Sequence, residues 1–309
     1  MNTTGLRVAA VIPVRGHAAL LDGCLESLRA QSMSLDEVIV VDDSPEGSLE
    51  QLPGVRVERS GGRGPYAARN TGWRSSGADV ILFLDARSRP RPGWAERLVE
   101  AFTDPDVVLA GTGVEVSSGP SLAAQASHRA QFFKIRSFVS TPFFLPYLPT
   151  CNLAARRSAL EAVDGFSGVR SGGDADLCWR VQRTTGGRLE GVEEVLMEWV
   201  PREKVLDLLE QTYRYGKSNH ALRTEWSDRG APPRVPLSLP RLAKRAGVVS
   251  LRLGLARLRG DAERSAALLA DACGVATEIG YRVAVDRARR SSAPPTGRGA
   301  GRARARVGA

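Results

Sequence analysis

Residues 79–85 read DVILFLD, a run of five large apolar side chains with an aspartate at each end. A short, continuous apolar run of this kind is typical of a strand buried on both faces of a parallel sheet. Two further runs have the same character, RVAAVIPV at 7–14 and DEVIVVDD at 36–43. We therefore expect these three runs to form strands of one buried sheet.

Helical segments alternate with these runs, at 17–31, 64–76 and 92–103, and a further strand is expected at 107–116. This alternation predicts an α/β fold with a mostly parallel, Rossmann-like sheet flanked by helices. In such sheets, ligands bind beyond the carboxyl ends of the strands. The residues expected at those ends are Pro13, Arg15, Asp42, Asp43, Asp85 and Arg87. The pattern thus indicates a single cleft.

Beyond residue 117 the pattern becomes mainly helical, with helices expected at 121–138, 174–186 and 202–222 and a strand at 187–197. The segment GAPPRVPLSLP is rich in proline, which favours a linker. Two more helices are expected after it. The predicted organisation is a catalytic domain at 1–229, a linker at 230–240, a helical appendage at 241–286 and an Arg-rich tail at 287–309.

The formal net charge of +9 is concentrated in that tail, which carries seven arginines and no acidic residue. The rest of the chain is therefore nearly balanced, and a nucleic-acid partner is not expected. We interpret the tail as a solvated, disordered arm. The alternative is a segment that binds polyanions.

The four cysteines, at positions 24, 151, 178 and 273, show neither close pairing nor metal-type spacing. We expect them to be reduced and buried, which is typical of cytoplasmic proteins. The first 14 residues lack the pattern of a signal peptide, and no apolar run approaches the roughly 18 residues that span a bilayer. These features predict a soluble, cytoplasmic protein that is at most peripheral at the inner face of the membrane.

Several motifs follow one another in a fixed order over residues 7–222. They are VIPVRG, VIVVDDS, GPYAARNTGW, FLDARSRP, TCNLAARRSAL, GGDADLCWR and QTYRY. This ordered set resembles the inverting nucleotide-sugar glycosyltransferases of family 2. The resemblance implies a GT-A fold and transfer of a sugar, with inversion, from a nucleotide diphosphate sugar that is UDP-linked. The implied acceptor is a glycan, a lipid-linked carrier or a small molecule.

The resemblance also implies which residues contact the nucleotide. Asp42 and Asp43 would bind the base or ribose, Pro13 and Arg15 would lie in the first loop beside it, and Arg69 would contact the nucleotide. Each assignment has a simpler alternative. The two carboxylates could cap the following turn, the proline could merely end its strand, and the arginine could be a surface helix residue.

The motif GGDADLCWR resembles the family element whose aspartate deprotonates the acceptor, which makes Asp174 the implied general base. A base must hold its carboxylate within reach of that proton, and a helix N-terminus favours the ionised form. The alternative is that Asp174 only caps its helix. The family usually has Glu-Asp at this point, whereas this chain has Gly173 before the aspartate. Asp176 is expected to be structural.

A further group of residues is implied to contact the acceptor or the diphosphate. QTYRY resembles a Gln-x-x-Arg-Trp element of the family, with Tyr215 in place of tryptophan. Gln211 and Arg214 are three residues apart, so they share one helix face. The TCN motif adds Asn152 to this group. A surface pair on the helix is the alternative for the glutamine and the arginine.

One motif departs from the family pattern. Relatives carry Asp-x-Asp and often a later histidine as ligands of a divalent cation, but this chain has Asp85-Ala86-Arg87 and no histidine at 190–197. A single carboxylate is a poor site for Mg²⁺ or Mn²⁺. We hypothesise that Arg87 binds the diphosphate instead. The alternatives are a weakly held cation at Asp85, with Glu198 as a further ligand, and an inactive nucleotide-sugar-binding or scaffold protein with a polyanion-binding tail.

The helix expected at 241–259 has an apolar stripe at helical spacing among six basic residues. The stripe consists of Val248, Leu251, Leu255 and Leu258. Such stripes usually face the core, so we expect this one to pack on the catalytic domain or a second subunit. The alternative is contact with an anionic membrane surface.

Overall fold

The structure is a computed structural model and describes residues 4–16, 18–47, 49, 52–140, 142–169 and 171–291. The strands of this part of the chain are β1 (Val8–Val14), β2 (Glu37–Asp42), β3 (Arg56–Arg59), β4 (Val80–Leu84), β5 (Ser88–Pro90), β6 (Val107–Val116), β7 (Asn152–Arg156) and β8 (Arg188–Trp199). Its helices are α1 (Ala18–Arg29), α2 (Pro65–Ser75), α3 (Trp94–Ala101), α4 (Leu122–Ala130), α5 (Ile135–Val139), α6 (Arg157–Ala162), α7 (Gly173–Thr185), α8 (Val205–Glu225), α9 (Leu239–Leu258) and α10 (Ala262–Ser291).

The eight strands form one mixed sheet in the order β3-β2-β1-β4-β7-β6-β8-β5. Four of its seven strand pairs are parallel, whereas β7 runs antiparallel to β4 and β6, and β5 runs antiparallel to β8. The predicted α/β fold with a mostly parallel sheet is confirmed. The sequence pattern missed β3, β5 and β7, because each is short and contains arginine instead of a continuous apolar run.

The sheet is buried on both faces, as the apolar runs predicted. Ala10 and Ile12 lie in an apolar cluster with residues of α1 and α3. Ala9 and Val11 point the other way, into a cluster with residues of α2 and α7. Alternate residues of a strand face opposite sides, so a fully apolar β1 supplies both cores. All four cysteines are buried and free, as expected.

The helix expected at 121–138 is two helices. α4 ends at Ala130 and is followed by Gln131, whose backbone has a left-handed φ of 44°. The side-chain amide of Gln131 accepts a hydrogen bond from the Val116 N–H at 3.0 Å and donates one to the Val116 carbonyl at 3.2 Å. These bonds tie the break between the helices to the end of β6.

The C-terminal helices pack on the preceding part of the chain through α10. Leu269 and Cys273 of α10 lie in one apolar cluster with Leu208 of α8 and Ala123 of α4. α10 continues to Ser291, five residues past the predicted end of the appendage, and the remainder of the predicted tail lies outside the described residues.

The apolar stripe of α9 does not pack on the rest of the described chain, so that part of the prediction is wrong, whereas packing on a second subunit stays a prediction. Val248, Leu251, Leu255 and Leu258 are all exposed, and Leu258 is 85% exposed. α9 instead turns a second face, which includes the buried Leu242 and Ala256, toward the protein. In the part of the chain that the structure describes, no helix is long and apolar enough to cross a membrane.

The crossing of α8 and α10 depends on two glycines. A methyl group on Gly280 would overlap the Tyr213 carbonyl oxygen, and one on Gly216 would overlap the Thr277 carbonyl oxygen. We expect Gly280→Ala to lower the free energy of unfolding by about 1–3 kcal/mol through overpacking, although alanine favours helix by about 1 kcal/mol. Urea unfolding measures this change. Gly254→Ala on α9 is the control, since nothing lies within 4 Å of the added methyl group.

The control should be neutral or slightly stabilising, because it gains helix propensity without a clash. A Gly280→Ala protein as stable as the Gly254→Ala protein would contradict the close helix crossing.

Candidate functional site

A cleft of about 1240 Å³ lies beyond the carboxyl ends of β1, β2 and β4, with further walls from α2, α7 and α8. Ligand pockets usually span about 300–1000 Å³, so this cleft has room for a donor and an acceptor. The predicted residues that it brings together are Pro13, Arg15, Asp43, Arg69, Asp85, Arg87, Asp174, Gln211, Arg214 and Tyr215. The predicted residues Asp42 and Asn152 do not line it.

The two consecutive aspartates after the second predicted strand have different surroundings. Asp42 is buried, and its carboxylate accepts hydrogen bonds from the backbone N–H groups of Ser44 (2.9 Å) and Leu49 (3.0 Å). It caps the turn, as the alternative interpretation held, and its predicted contact with the nucleotide is not supported. Asp43 lines the cleft and accepts a hydrogen bond from the Gly64 N–H at 3.0 Å. That bond fixes the carboxylate against the loop before α2.

Asn152 lies in the core, which corrects its predicted contact with the acceptor or diphosphate. Its amide nitrogen donates to the Thr112 carbonyl at 2.7 Å, and its amide oxygen accepts from the Trp94 indole N–H at 2.7 Å. The side chain is 1% exposed. Asn152 therefore joins β7 to β6 and α3, and it satisfies polar groups that burial would otherwise leave unpaired.

Arg69 and Asp85 form an ion pair on the floor of the cleft. Arg69 is buried on α2, and its guanidinium lies 5.5 Å from the centre of the Tyr66 ring. Its Nε has no hydrogen-bond partner among the described residues. Asp85 follows β4, and its backbone N–H donates to Ser88 Oγ at 3.1 Å. A buried cation thus already neutralises the carboxylate that was the candidate metal ligand.

Arg87 and Arg202 are two further cations that line the cleft. Arg87 Nη1 donates to the carbonyls of Val200 (3.2 Å) and Pro201 (2.9 Å), while its Nε and Nη2 have no partner among the described residues. Desolvation lowers the pKa of Arg87, and the positive charge of Arg202 lowers it further. The two guanidinium groups therefore repel each other, and an anion between them would relieve that repulsion.

The residues present do not fit a divalent cation held by the protein. Mg²⁺ and Mn²⁺ require several hard oxygen ligands, whereas Asp85 is paired with Arg69 and also interacts with the positive charge of Arg87. Among the described residues, no group of three or more His, Cys, Asp or Glu side chains could hold a metal ion. Glu198, the suggested further ligand, lies opposite Arg89 where β8 pairs with β5, and it does not line the cleft.

Asp174 lies in the first turn of α7, is half-buried and lines the cleft. Oδ1 accepts a hydrogen bond from the Ala175 N–H at 3.0 Å, and the Tyr66 hydroxyl lies 3.5 Å away. Desolvation raises the pKa of Asp174, while the Ala175 hydrogen bond and the charge of Arg69 oppose that rise. A carboxylate with a raised pKa at the edge of a cleft is suited to accept a proton.

The residue before this aspartate is glycine for a packing reason. A methyl group on Gly173 would lie 2.8 Å from the Tyr66 ring, so an acidic side chain has no room there. Asp176 has the structural role that was expected. It accepts hydrogen bonds from Ser167 Oγ (2.7 Å) and Arg180 Nε (2.9 Å).

The QTYRY segment contributes a short hydrogen-bonded chain from α8. Arg202 Nε donates to Gln211 Oε1 at 3.1 Å, and Gln211 Nε2 donates to the Tyr215 hydroxyl at 2.8 Å. Gln211 thus positions Arg202 at the cleft wall. Arg214 also lines the cleft but is paired with Glu210 on its own helix at 2.9 Å.

Comparison with known proteins agrees with this geometry. The family model described as Glycosyl transferase family 2 matches residues 9–164, about half of the chain. The chain belongs to glycosyl transferase family 2. The matched residues include β1, β2 and β4, whose carboxyl ends form the cleft.

Among curated proteins, the chain is similar to the pre-mycofactocin glycosyltransferase of Mycobacterium tuberculosis. The two are 32% identical over 237 residues, which are 73% of this chain and 49% of that protein. It is also similar to glycosyltransferase AglE of Haloferax volcanii, at 27% identity over 70% of this chain and 74% of that one. The chain spans about half the length of its mycobacterial relatives.

A solved structure shares the overall architecture. It is mannosyltransferase PcManGT from Pyrobaculum calidifontis, in complex with GDP-Man and Mn²⁺, and it matches with a TM-score of 0.53. The match covers 96% of this chain and 79% of that one at 17% identity. A likeness at this identity concerns the fold alone. It confirms the GT-A fold predicted for this chain.

The family 2 motifs placed ten predicted residues in the cleft, but they did not point to Arg202 and Tyr66, which also line it. Arg202 follows β8, close to the position where the family resemblance implied a histidine that this chain lacks, and that departure was the available signal. Tyr66 belongs to the quoted GPYAARNTGW motif, yet its contact with Asp174 joins residues 108 positions apart. No local pattern gives such a contact.

Proposed function

We propose that this family 2 chain is a glycosyltransferase that moves a sugar from a nucleotide diphosphate sugar to an acceptor with inversion. The observation that carries the proposal is one cleft with three separate chemical parts. These are a carboxylate held against a backbone loop at Asp43, a pair of cations at Arg87 and Arg202, and the half-buried Asp174, whose pKa is raised.

In this proposal, Asp174 takes the proton of an acceptor hydroxyl as its oxygen attacks the anomeric carbon of the donor sugar. The bond between that carbon and the diphosphate oxygen breaks, and the nucleoside diphosphate leaves with the bonding electron pair. Arg87 and Arg202 stabilise the charge that develops on the diphosphate. Attack opposite the leaving group inverts the configuration of the sugar.

The nucleotide would lie along the first strand ends. Asp43 would accept hydrogen bonds from the base or ribose, since Gly64 already holds its carboxylate at the cleft wall. Pro13 and Arg15 would border the same pocket. The donor proposed is UDP-linked, and the acceptor is a glycan, a lipid-linked carrier or a small molecule.

A screen of nucleotide sugars tests the proposed activity. The protein is incubated with UDP-, dTDP- and GDP-linked sugars, and release of nucleoside diphosphate is followed with simple sugar alcohols as acceptors. GDP-mannose belongs in the panel because PcManGT binds it. We expect release from a UDP-linked sugar above the rate without protein. Binding of UDP without release from any donor would favour the inactive nucleotide-sugar-binding alternative and contradict the proposal.

A further inference from the structure

Helix α9 exposes a continuous apolar stripe. Val248, Leu251, Leu255 and Leu258 recur at intervals of three and four residues, and Leu251 and Leu258 are 66% and 85% exposed. With 3.6 residues per turn, this stripe lies on the side opposite Leu242, which is buried. The helix therefore has two apolar faces, and among the described residues only one of them is covered by protein.

The same helix is strongly basic. Between Arg229 and Asp261 the chain has no acidic residue, whereas α9 and the residue after it carry Arg241, Lys244, Arg245, Arg252, Arg257 and Arg259. None of these six side chains forms an ion pair with another described residue. Exposed cations thus border an exposed apolar stripe along a 20-residue helix.

We propose that α9 is a docking surface for an anionic lipid bilayer. The stripe would enter the boundary between headgroups and acyl chains, and the basic side chains would contact lipid phosphates, as in other interfacial amphipathic helices. A second copy of this chain fits the surface less well, because two such helices would bring twelve unpaired cations together. Charge complementarity therefore favours the lipid surface.

Docking through α9 would also bring the bilayer to a helix that begins near the cleft. Arg234 lines the cleft and precedes the first residue of α9 by five positions, which an extended chain spans in at most about 18 Å. Thr277 lines the cleft as well, and it belongs to α10, the helix against which α9 packs. A lipid-linked acceptor is the substrate class that this arrangement suits. That consequence rests on the proposed function, whereas lipid binding itself does not.

Co-sedimentation with vesicles tests the docking surface in the full chain. Vesicles of phosphatidylcholine with about one third phosphatidylglycerol should bind the wild-type protein, and binding should fall as salt is added. Leu251→Glu should weaken this binding by about tenfold or more, since a charge would enter the apolar boundary. The change leaves every arginine in place, so it separates the stripe from general attraction of a basic protein to anionic lipid.

Leu206→Glu on α8 is the matched control, because Leu206 is 79% exposed and does not line the cleft. It should bind vesicles as the wild type does, and both variants should unfold at the wild-type temperature. Equal vesicle binding by the two variants would overturn the proposal. So would a lipid-free dimer, seen by sedimentation velocity, that Leu251→Glu dissociates. Donor turnover is a separate measurement, so failure of lipid docking and failure of sugar transfer can be told apart.

Discussion

Asp174→Asn is expected to lower the rate of sugar transfer by about 10²–10⁴-fold, the usual contribution of a general base, while nucleotide affinity stays near that of the wild type. Asparagine has almost the same shape, and its amide oxygen can still accept the hydrogen bond from the Ala175 N–H. What it loses is the ability to take the acceptor proton. Single-turnover transfer with saturating donor measures the chemical step, and calorimetric titration with UDP measures binding.

The dependence of the transfer rate on pH is a second test of Asp174. The base works only when ionised, and desolvation raises the pKa of Asp174 above its ordinary value of about 3.9. The transfer rate should therefore fall as the pH drops through this raised pKa, at a higher pH than for a solvent-exposed aspartate. The residual transfer rate of Asp174→Asn should not fall over this pH range. Loss of UDP binding together with transfer would instead indicate that Asp174 only stabilises the start of α7.

The position of the cleft could be predicted because it depends on where apolar runs end. The runs that became β1, β2 and β4 stop at the residues that line the cleft, and parallel neighbours end at one edge of a sheet. Which of two adjacent aspartates enters the cleft could not be predicted in this way. Successive residues of a strand point in opposite directions, and only the turn that Asp42 caps decides that Asp43 faces the cleft.

Contacts that join distant segments were beyond sequence patterns. β7 is antiparallel and contains arginine, so the pattern gave no strand there and no direction for Asn152. For α9 the difficulty was different, since the helix has two apolar faces. The stripe of valine and leucine is the more hydrophobic of the two faces. The face that packs on the protein is nevertheless the other one, which includes Leu242 and the smaller Ala256. Small residues permit close helix contact, and a count of large apolar residues overlooks them.

Removal of divalent cations with EDTA is expected to leave the rate of sugar transfer unchanged, whereas Arg87→Met should lower it by about 10²–10³-fold. In the proposed mechanism, the positive charge that faces the diphosphate comes from Arg87 and Arg202, which both line the cleft. Transfer assays with EDTA, and then with added Mn²⁺, measure the first effect. Arg91→Met is the matched control, because Arg91 pairs with Glu115 at 2.6 Å and does not line the cleft.

Arg87→Lys distinguishes charge from geometry at this position. Two backbone carbonyls hold Nη1 of Arg87, which leaves Nε and Nη2 as a planar pair of donors that can bind two phosphate oxygens at once. Lysine would keep the charge but lose this paired geometry, so its activity should lie between those of wild type and Arg87→Met. Activity that EDTA abolishes and Mn²⁺ restores would overturn the assignment, because a bound cation would then supply the charge attributed to the two arginines.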